Sequence, residues 1–265
     1  MEDVREEVAG ARRLRSAADL RAMSADAPAP RDFHGALAAS FGLIAEIKDR
    51  SPSVGPMREE NVRAAALAYA ESPLVRAASI LTNARHFGGA VDRLPAFRST
   101  IGKPILRKDF FLDEYQVREA RAFGADAVLL MANVLDASRL AGFYDLAREL
   151  GMEALFEVHT EEEIGALPCG ARMVGINSRK FQSHEGFVAP GSASATDFSL
   201  DMGVFALADK LPSGCLRVAE SGIRPDSLGE VKARFQAALV GTSLLRDPRG
   251  LRPCLADFER AAGLS

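Results

Sequence analysis

The fold class this sequence predicts is α/β, with a parallel sheet closed into a barrel, and three observations predict it. Short apolar runs alternate with longer amphipathic segments, strand then helix, eight times from residue 43 to residue 262. That alternation is the pattern of right-handed strand–helix–strand crossovers. The runs are apolar almost throughout, as expected when a strand is covered on both faces; Ala-Asp-Ala-Val-Leu-Leu-Met-Ala at 125–132 is the clearest. The chain has 265 residues, and roughly 250 is the usual size of an eight-unit barrel. Together these predict a single-domain (β/α)8 TIM barrel over 1–265, with an N-terminal helical extension at 1–40.

Residues 3–21 read as a helix. Ala27-Pro28-Ala29-Pro30 breaks it, and a second helix spans 32–40 with Asp32 as its N-cap. The apolar run beginning at Phe41 gives the first strand, 43–48, and the amphipathic stretch 58–71 its helix. The next apolar runs place strands at 77–82, 104–109, 126–131, 153–158, 172–177, 216–220 and 237–241. Amphipathic segments between them place helices at 90–99, 113–123, 136–150, 160–166, 200–210 and 224–235, with a last one at 251–262. The stretch 180–200 is rich in Gly, Ser and Ala and reads as a long loop over the rim.

Composition narrows the function classes. Hydrophobic residues make up 48% and charged residues 26%, which suffices for a sizeable core. A net charge of −3 gives no reason to expect a nucleic acid or an anionic membrane as partner. No apolar run approaches the roughly 20 residues that span a bilayer. The N-terminus lacks an apolar signal core. Cys169, Cys215 and Cys254 are few, odd in number and widely spaced, so a reducing, cytoplasmic location is expected. No His or Cys spacing suggests a metal site.

Chemistry gathers at the strand ends. In Ala-Glu-Ile-Lys (45–48), Glu46 and Lys48 share one face of a strand, because side chains alternate. Taken alone, the pair reads equally as a structural ion pair. Other strands end in the same manner: Lys108 and Asp109, Glu157, Asn177 and Arg179, Glu220 with Ser221 and Gly222, and Gly241 with Thr242. A barrel's active site lies at the C-terminal ends of its strands, so these residues are expected on one rim. Phosphate sites in barrels commonly come after strands seven and eight, where Ser221-Gly222 and Gly241-Thr242-Ser243 stand, and Ser51 would add a hydroxyl.

These motifs together resemble indole-3-glycerol phosphate synthase over nearly the whole chain. The carriers are Ala-Glu-Ile-Lys…Ser-Pro-Ser (45–53), Ser-Ile-Leu-Thr…Phe-Gly-Gly (79–89), Pro-Ile-Leu-Arg-Lys-Asp-Phe (104–110) and Gly-Ala-Asp-Ala-Val-Leu-Leu (124–130). Gly-Met-Glu-Ala-Leu-Phe-Glu-Val (151–158), Gly-Ile-Asn-Ser-Arg (175–179), Val-Ala-Glu-Ser-Gly-Ile (218–223) and Val-Gly-Thr-Ser-Leu-Leu-Arg (240–246) complete them. The resemblance implies a carboxy-lyase of tryptophan biosynthesis. It would convert 1-(o-carboxyphenylamino)-1-deoxyribulose 5-phosphate to indole-3-glycerol phosphate, releasing carbon dioxide and water, without metal or cofactor. It implies Lys108 and Lys48 as acids, their pKa values lowered by burial and neighbouring positive charge. Glu157 is then the leading base, Glu46 and Asn177 position and stabilise, and Glu220 and Arg179 complete the polar rim. Phe87, Phe110, Leu129 and Phe181 fall where the family lines its aromatic pocket. The extension, with Asp32-Phe33, resembles the family's helix over the barrel mouth. Association with other tryptophan-pathway enzymes is a further expectation.

The chain also departs from the pattern. Asn83 stands where the family usually has Glu, Lys180 where it usually has Asp, and the stretch from Asn177 to Glu220 is longer than usual. A modified anthranilate adduct as substrate is therefore one alternative, and a non-catalytic barrel binding a phosphorylated ligand another. Phosphoribosylanthranilate isomerase shares the fold but resembles a Cys base at strand one, where this chain has Glu46 and Lys48. The 180–200 loop, with Phe181 and Phe187, is expected to cover the aromatic end of the substrate.

Overall fold

The computed structural model describes residues 1–180 and 199–264. Among them, eight parallel strands close into a barrel. In chain order the strands are β1 (Gly42–Ile47), β2 (Val75–Leu81), β3 (Ile105–Lys108), β4 (Ala127–Met131), β5 (Glu153–Val158), β6 (Met173–Asn177), β7 (Leu216–Glu220) and β8 (Ala237–Val240). Each pairs with its sequence neighbours, and β8 closes on β1 with Ala45 opposite Val240.

Burial on both faces explains the apolar runs. Inward residues Ile44, Ala77, Leu106, Leu129, Leu155, Met173, Val218 and Leu239 share one apolar cluster inside the barrel. Their neighbours Ala45, Ala78, Val128, Phe156, Val174 and Ala219 belong to a second cluster that includes the helix residues outside. Two-residue periodicity then fixes the side chains above each inward residue. Ile44 is succeeded by Glu46 and Lys48, Leu106 by Lys108, Leu155 by Glu157, Met173 by Gly175 and Asn177, and Val218 by Glu220. The interior thus turns from apolar to ionisable toward the C-terminal ends.

The outer helices are α4 (Glu59–Glu71), α5 (Ala84–Phe87), α6 (Leu94–Ile101), α7 (Glu114–Ala122), α8 (Ala137–Glu149), α9 (Glu161–Gly165), α10 (Leu228–Lys232), α11 (Thr242–Leu245) and α12 (Leu251–Ala262). Side-chain caps start several of them: Asp113 and Asp136 accept from Tyr115 N and Arg139 N, and Thr160 accepts from Glu163 N. The short α5 and α11 are not foreseen from the sequence, since four residues carry no period. The expected helix at 200–210 is a 3-10 turn series, Met202–Lys210, and the one at 224–235 shrinks to α10 behind the Arg224–Ser227 turn.

The extension differs most from expectation. The helix expected at 3–21 is two, α1 (Glu2–Leu14) and α2 (Ala17–Asp26), separated where Ser16 and Asp19 form a capping box. Asp32 does cap α3 (Phe33–Ala38), accepting from Gly35 N. Nor is 1–40 one cover over the mouth. Val4 of α1 packs with Phe110 and Leu112 beyond the end of β3, and Glu7 accepts from Asn83 Nδ2 at 2.8 Å. α2 packs along α7. α3 lies at the opposite end, where fully buried Phe33 and Leu37 join the barrel's interior cluster. Burying two such side chains stabilises the fold by about 3–6 kcal/mol. The extension runs from the mouth, down the outside, to a plug in the floor.

Candidate active site

At the C-terminal ends of the strands lies a cavity of about 690 Å³. Glu46, Lys48, Lys108, Glu157, Asn177 and Glu220 line it, as do Ser51, Arg179, Ser221, Gly222, Gly241 and Thr242, with Phe87, Phe110 and Leu129. Of the residues singled out in the sequence, Phe181 lies outside the described residues, as do Phe187 and most of the expected 180–200 cover.

Lys108 is the centre of the polar floor. Its Nζ donates to Glu157 Oε2 at 2.9 Å and to Glu220 Oε2 at 3.1 Å. Lys48 Nζ donates to Glu46 Oε1 at 2.5 Å. The three carboxyls are each at most 3% exposed. Buried charges at such spacing satisfy one another or change protonation. Burial by itself pushes Lys108 toward the neutral amine, but Glu157, Glu220 and Glu46 outweigh it and hold its pKa above the ordinary lysine value. This reverses the expected lowering: the neighbours of Lys108 are carboxylates, not cations. Burial also raises a carboxyl, yet Lys108 and His159 bring Glu157 down. Glu220 ends raised, by burial, with Lys108 opposing and Glu157 adding. The pair around Lys108 therefore comprises one ionised carboxylate and one carboxyl that tends to keep its proton, which is an acid–base arrangement.

Asn177 Oδ1 accepts from Arg179 N at 3.0 Å, so the amide's donor end is what Asn177 brings to the cavity. The backbone of Arg179 bridges to Leu200. Asp109, next after Lys108, is engaged elsewhere: its Oδ2 accepts from Thr82 Oγ1 at 2.6 Å and from the Arg107 guanidinium at 3.2 Å.

Two glycines make room for the carboxylates. A Cβ on Gly175 would meet Glu220 Oε1, and one on Gly241 would meet Glu46 Oε1, both well inside contact distance. At the β7–β8 end, Ser221 and Gly222 take left-handed conformations at φ 68° and 71°. Ser243 Oγ donates to Ile223 O at 2.6 Å and ties this turn to the one after β8. Ser51 Oγ lies 3.0 Å from Ser53 Oγ on the adjacent wall. On the other side, Phe87 and Phe110 stack with ring centroids 6.1 Å apart. Leu81, Met131 and Leu239 extend this apolar wall. Sequence reasoning missed these three, although each continues its strand's inward phase and was legible on that ground.

Two of the three departures, Asn83 and Lys180, lie off the wall; the third, the longer stretch from Asn177 to Glu220, falls partly outside the described residues. Asn83 is fully buried, caps α5 by accepting from His86 N at 2.8 Å, and reaches α1 through Glu7. Lys180 is exposed, and neither it nor Asn83 lines the cavity.

A family model described as indole-3-glycerol phosphate synthase matches residues 1–250. The indole-3-glycerol phosphate synthase of Micrococcus luteus is 41% identical over 257 residues, covering 93% of this chain and 90% of that protein. Indole-3-glycerol phosphate synthase 2 of Streptomyces coelicolor is 42% identical over 241 residues, covering 89% and 88%. Among solved structures, 3-hexulose-6-phosphate synthase from Salmonella typhimurium superposes with a TM-score of 0.59 at 12% identity, over 85% of this chain and 100% of that one. That likeness concerns the barrel alone.

Proposed function

This chain belongs to the indole-3-glycerol phosphate synthase family, and from that premise we propose how its own residues carry the family's reaction. The enzyme is a carboxy-lyase: it closes the indole ring of 1-(o-carboxyphenylamino)-1-deoxyribulose 5-phosphate with loss of carbon dioxide and water. The alternatives of a modified adduct or a non-catalytic barrel gain no support: the family match and the named relatives extend over most of the chain, and Asn83 and Lys180 lie off the cavity wall.

One observation carries the reading: Lys108 Nζ sits within hydrogen-bond reach of both Glu157 and Glu220 at the cavity floor, in a site that also holds the Lys48–Glu46 pair. As the aromatic carbon attacks the sugar carbonyl, Lys108 gives that oxygen a proton, and the adduct loses its carboxylate as carbon dioxide. The new hydroxyl then leaves as water with a proton from Lys48, while ionised Glu157 takes the proton that the ring must lose to become aromatic. Glu46 and the Asn177 amide stabilise the cationic intermediate between these steps. Glu220 shares the proton held around Lys108 and restores it. Phe87, Phe110 and Leu129 hold the anthranilate ring. Ser51, Ser221, Gly222, Gly241 and Thr242 hold the phosphate with backbone and hydroxyl donors, and Arg179 meets the substrate's carboxylate before it departs.

The test is the conversion itself, monitored by indole fluorescence with the purified protein. Lys108→Met should retain the fold and lower turnover by on the order of 10²–10⁴, the usual worth of general acid–base help. Turnover near wild type in that variant would remove Lys108 from the mechanism.

A further inference from the structure

The proposed chemistry leaves unused a titratable group beside the site, His159, whose side chain is 9% exposed. His159 comes directly after β5 and does not line the reaction cavity; it lines an open groove beside the Met202–Lys210 segment. Its Nε2 lies 3.6 Å from Glu157 Oε1, and its Nδ1 lies 3.4 Å from Glu163 Oε2 on α9. Glu163 is itself fixed, because its Oε2 accepts from His159 N at 2.7 Å and its own N–H donates to Thr160 Oγ1 at 3.2 Å. The imidazole therefore stands between an outer carboxylate and the inner one that faces Lys108.

Without His159, Glu157 and Glu220 are near equivalents. Both are at most 2% exposed, and both accept from Lys108 Nζ at about the same distance. Two carboxyls sharing one lysine would divide a proton between them. Of the two, Glu157 is the one within ion-pair distance of His159. We propose that His159 is a positioning residue that breaks this tie: as imidazolium it keeps Glu157 the ionised partner and leaves the shared proton on Glu220. This deepens the proposed function, since it rests on Glu157 acting as the base. An opposite charge within about 4–6 Å favours the ionised carboxylate.

The groups around the ring favour the imidazolium. On the inner side are Glu157 of β5 and, farther, Glu220 of β7, with Lys108 of β3 behind them as an opposing cation. On the outer side are Glu163 and Glu161 of α9, and Asp201 and Lys210 at the groove, the last paired with Glu161 at 3.1 Å. Burial disfavours the imidazolium, but Glu163 and Glu157 outweigh burial and raise its pKa above the ordinary histidine value.

The experiment is the pH profile of kcat/KM for wild type, His159→Asn, Glu163→Gln and Glu157→Gln, with histidine ring-nitrogen NMR of the wild type. In His159→Asn the shared proton should divide between Glu157 and Glu220, so activity near pH 6, where the pair still holds that proton, falls about twofold or more relative to activity near pH 8.5, which stays close to wild type. Glu163→Gln should lower the pH at which the His159 ring loses its proton. The wild-type ring should be doubly protonated at pH 7, in a signal absent from His159→Asn. A His159→Asn profile that superimposes on wild type after scaling, or a neutral wild-type ring at pH 7, overturns the inference. If Glu157→Gln keeps wild-type turnover, the base assignment falls and this inference with it. If Glu157→Gln is inactive and the His159→Asn profile is unmoved, only the inference falls. Should His159→Asn not fold, the NMR and Glu163→Gln decide.

Discussion

Gly175 and Gly241 hold their places because a Cβ on either would overlap a carboxylate oxygen, that of Glu220 in the first case and of Glu46 in the second. Neither glycine has a positive φ, so each is required by the space its neighbour needs and not by its backbone. Gly175→Ala should therefore push the Glu220 carboxyl away from Lys108 while sparing the fold, because the atom that gives way is the end of a flexible side chain. Turnover should fall on the order of 10- to 100-fold, as for a displacement of about 1 Å in a catalytic group. Steady-state kinetics beside a thermal melt checks this, and unchanged turnover would mean that Glu220 has slack to spare. Gly241, read from the sequence only as a backbone donor to phosphate, has the same second duty toward Glu46. The raised pKa of Lys108 also belongs to this scale. Its carboxylate partners lie 49 and 112 residues along the chain, so no local reading had access to them.

Among the elements, α3 and the segment before it decide how the extension holds to the barrel. Asp126, fully buried just before β4, accepts from Arg31 N at 2.6 Å and Ile105 N at 2.7 Å, and pairs with the Arg98 guanidinium. Arg98 also donates to Ala29 O at 2.8 Å. One carboxylate thus joins the extension, α6 and the start of β3. Asp126→Ala would leave a buried guanidinium without its counter-charge and should cost about 3–5 kcal/mol. Denaturant unfolding measures the loss, and turnover at low temperature should stay within about twofold, since the site lies at the other end of the barrel. A loss under about 1 kcal/mol would show that water replaces the carboxylate. The capping residues of this region were legible where chemistry is local, as with Asp32. The break at Ser16 was legible in principle too, from Ser16 and Asp19 at capping-box spacing, but the helical period runs through it and hides it. The floor position of α3 was not legible: amphipathicity says that a face is buried, not which end of a barrel buries it.

Across the whole molecule, the site sets a pH dependence on the fold. Glu220 has a folded pKa above its unfolded value near 4.5, so between the two the folded state holds a proton that the unfolded state has released. That contribution is fully present below the unfolded value and is lost as pH rises through the folded one. His159, also raised, acts with the same sign from about 6.5 upward. Glu157, lowered, acts oppositely, and its contribution is lost only as pH falls below the ordinary glutamate range. Stability should therefore decline from mildly acid to mildly alkaline pH, and Glu220→Gln should flatten that decline while abolishing turnover. Unfolding midpoints across the range check it, and parallel slopes in the two proteins would refute it. The sequence by itself determined the barrel, the strand positions, the inward phase that brings Glu46, Lys48, Lys108, Glu157, Asn177 and Glu220 to one rim, and the family. These are properties of local periodicity and motif, and a parallel sheet buried on both faces writes them into its apolar runs. Only the tertiary structure decided which charges touch: that Lys108 is held by two carboxylates, that His159 stands behind one of them, that glycines clear their space, and that the extension spans from mouth to floor. Protonation and clearance depend on distances of a few ångströms between strands far apart in the chain, and those distances exist only once the barrel has closed.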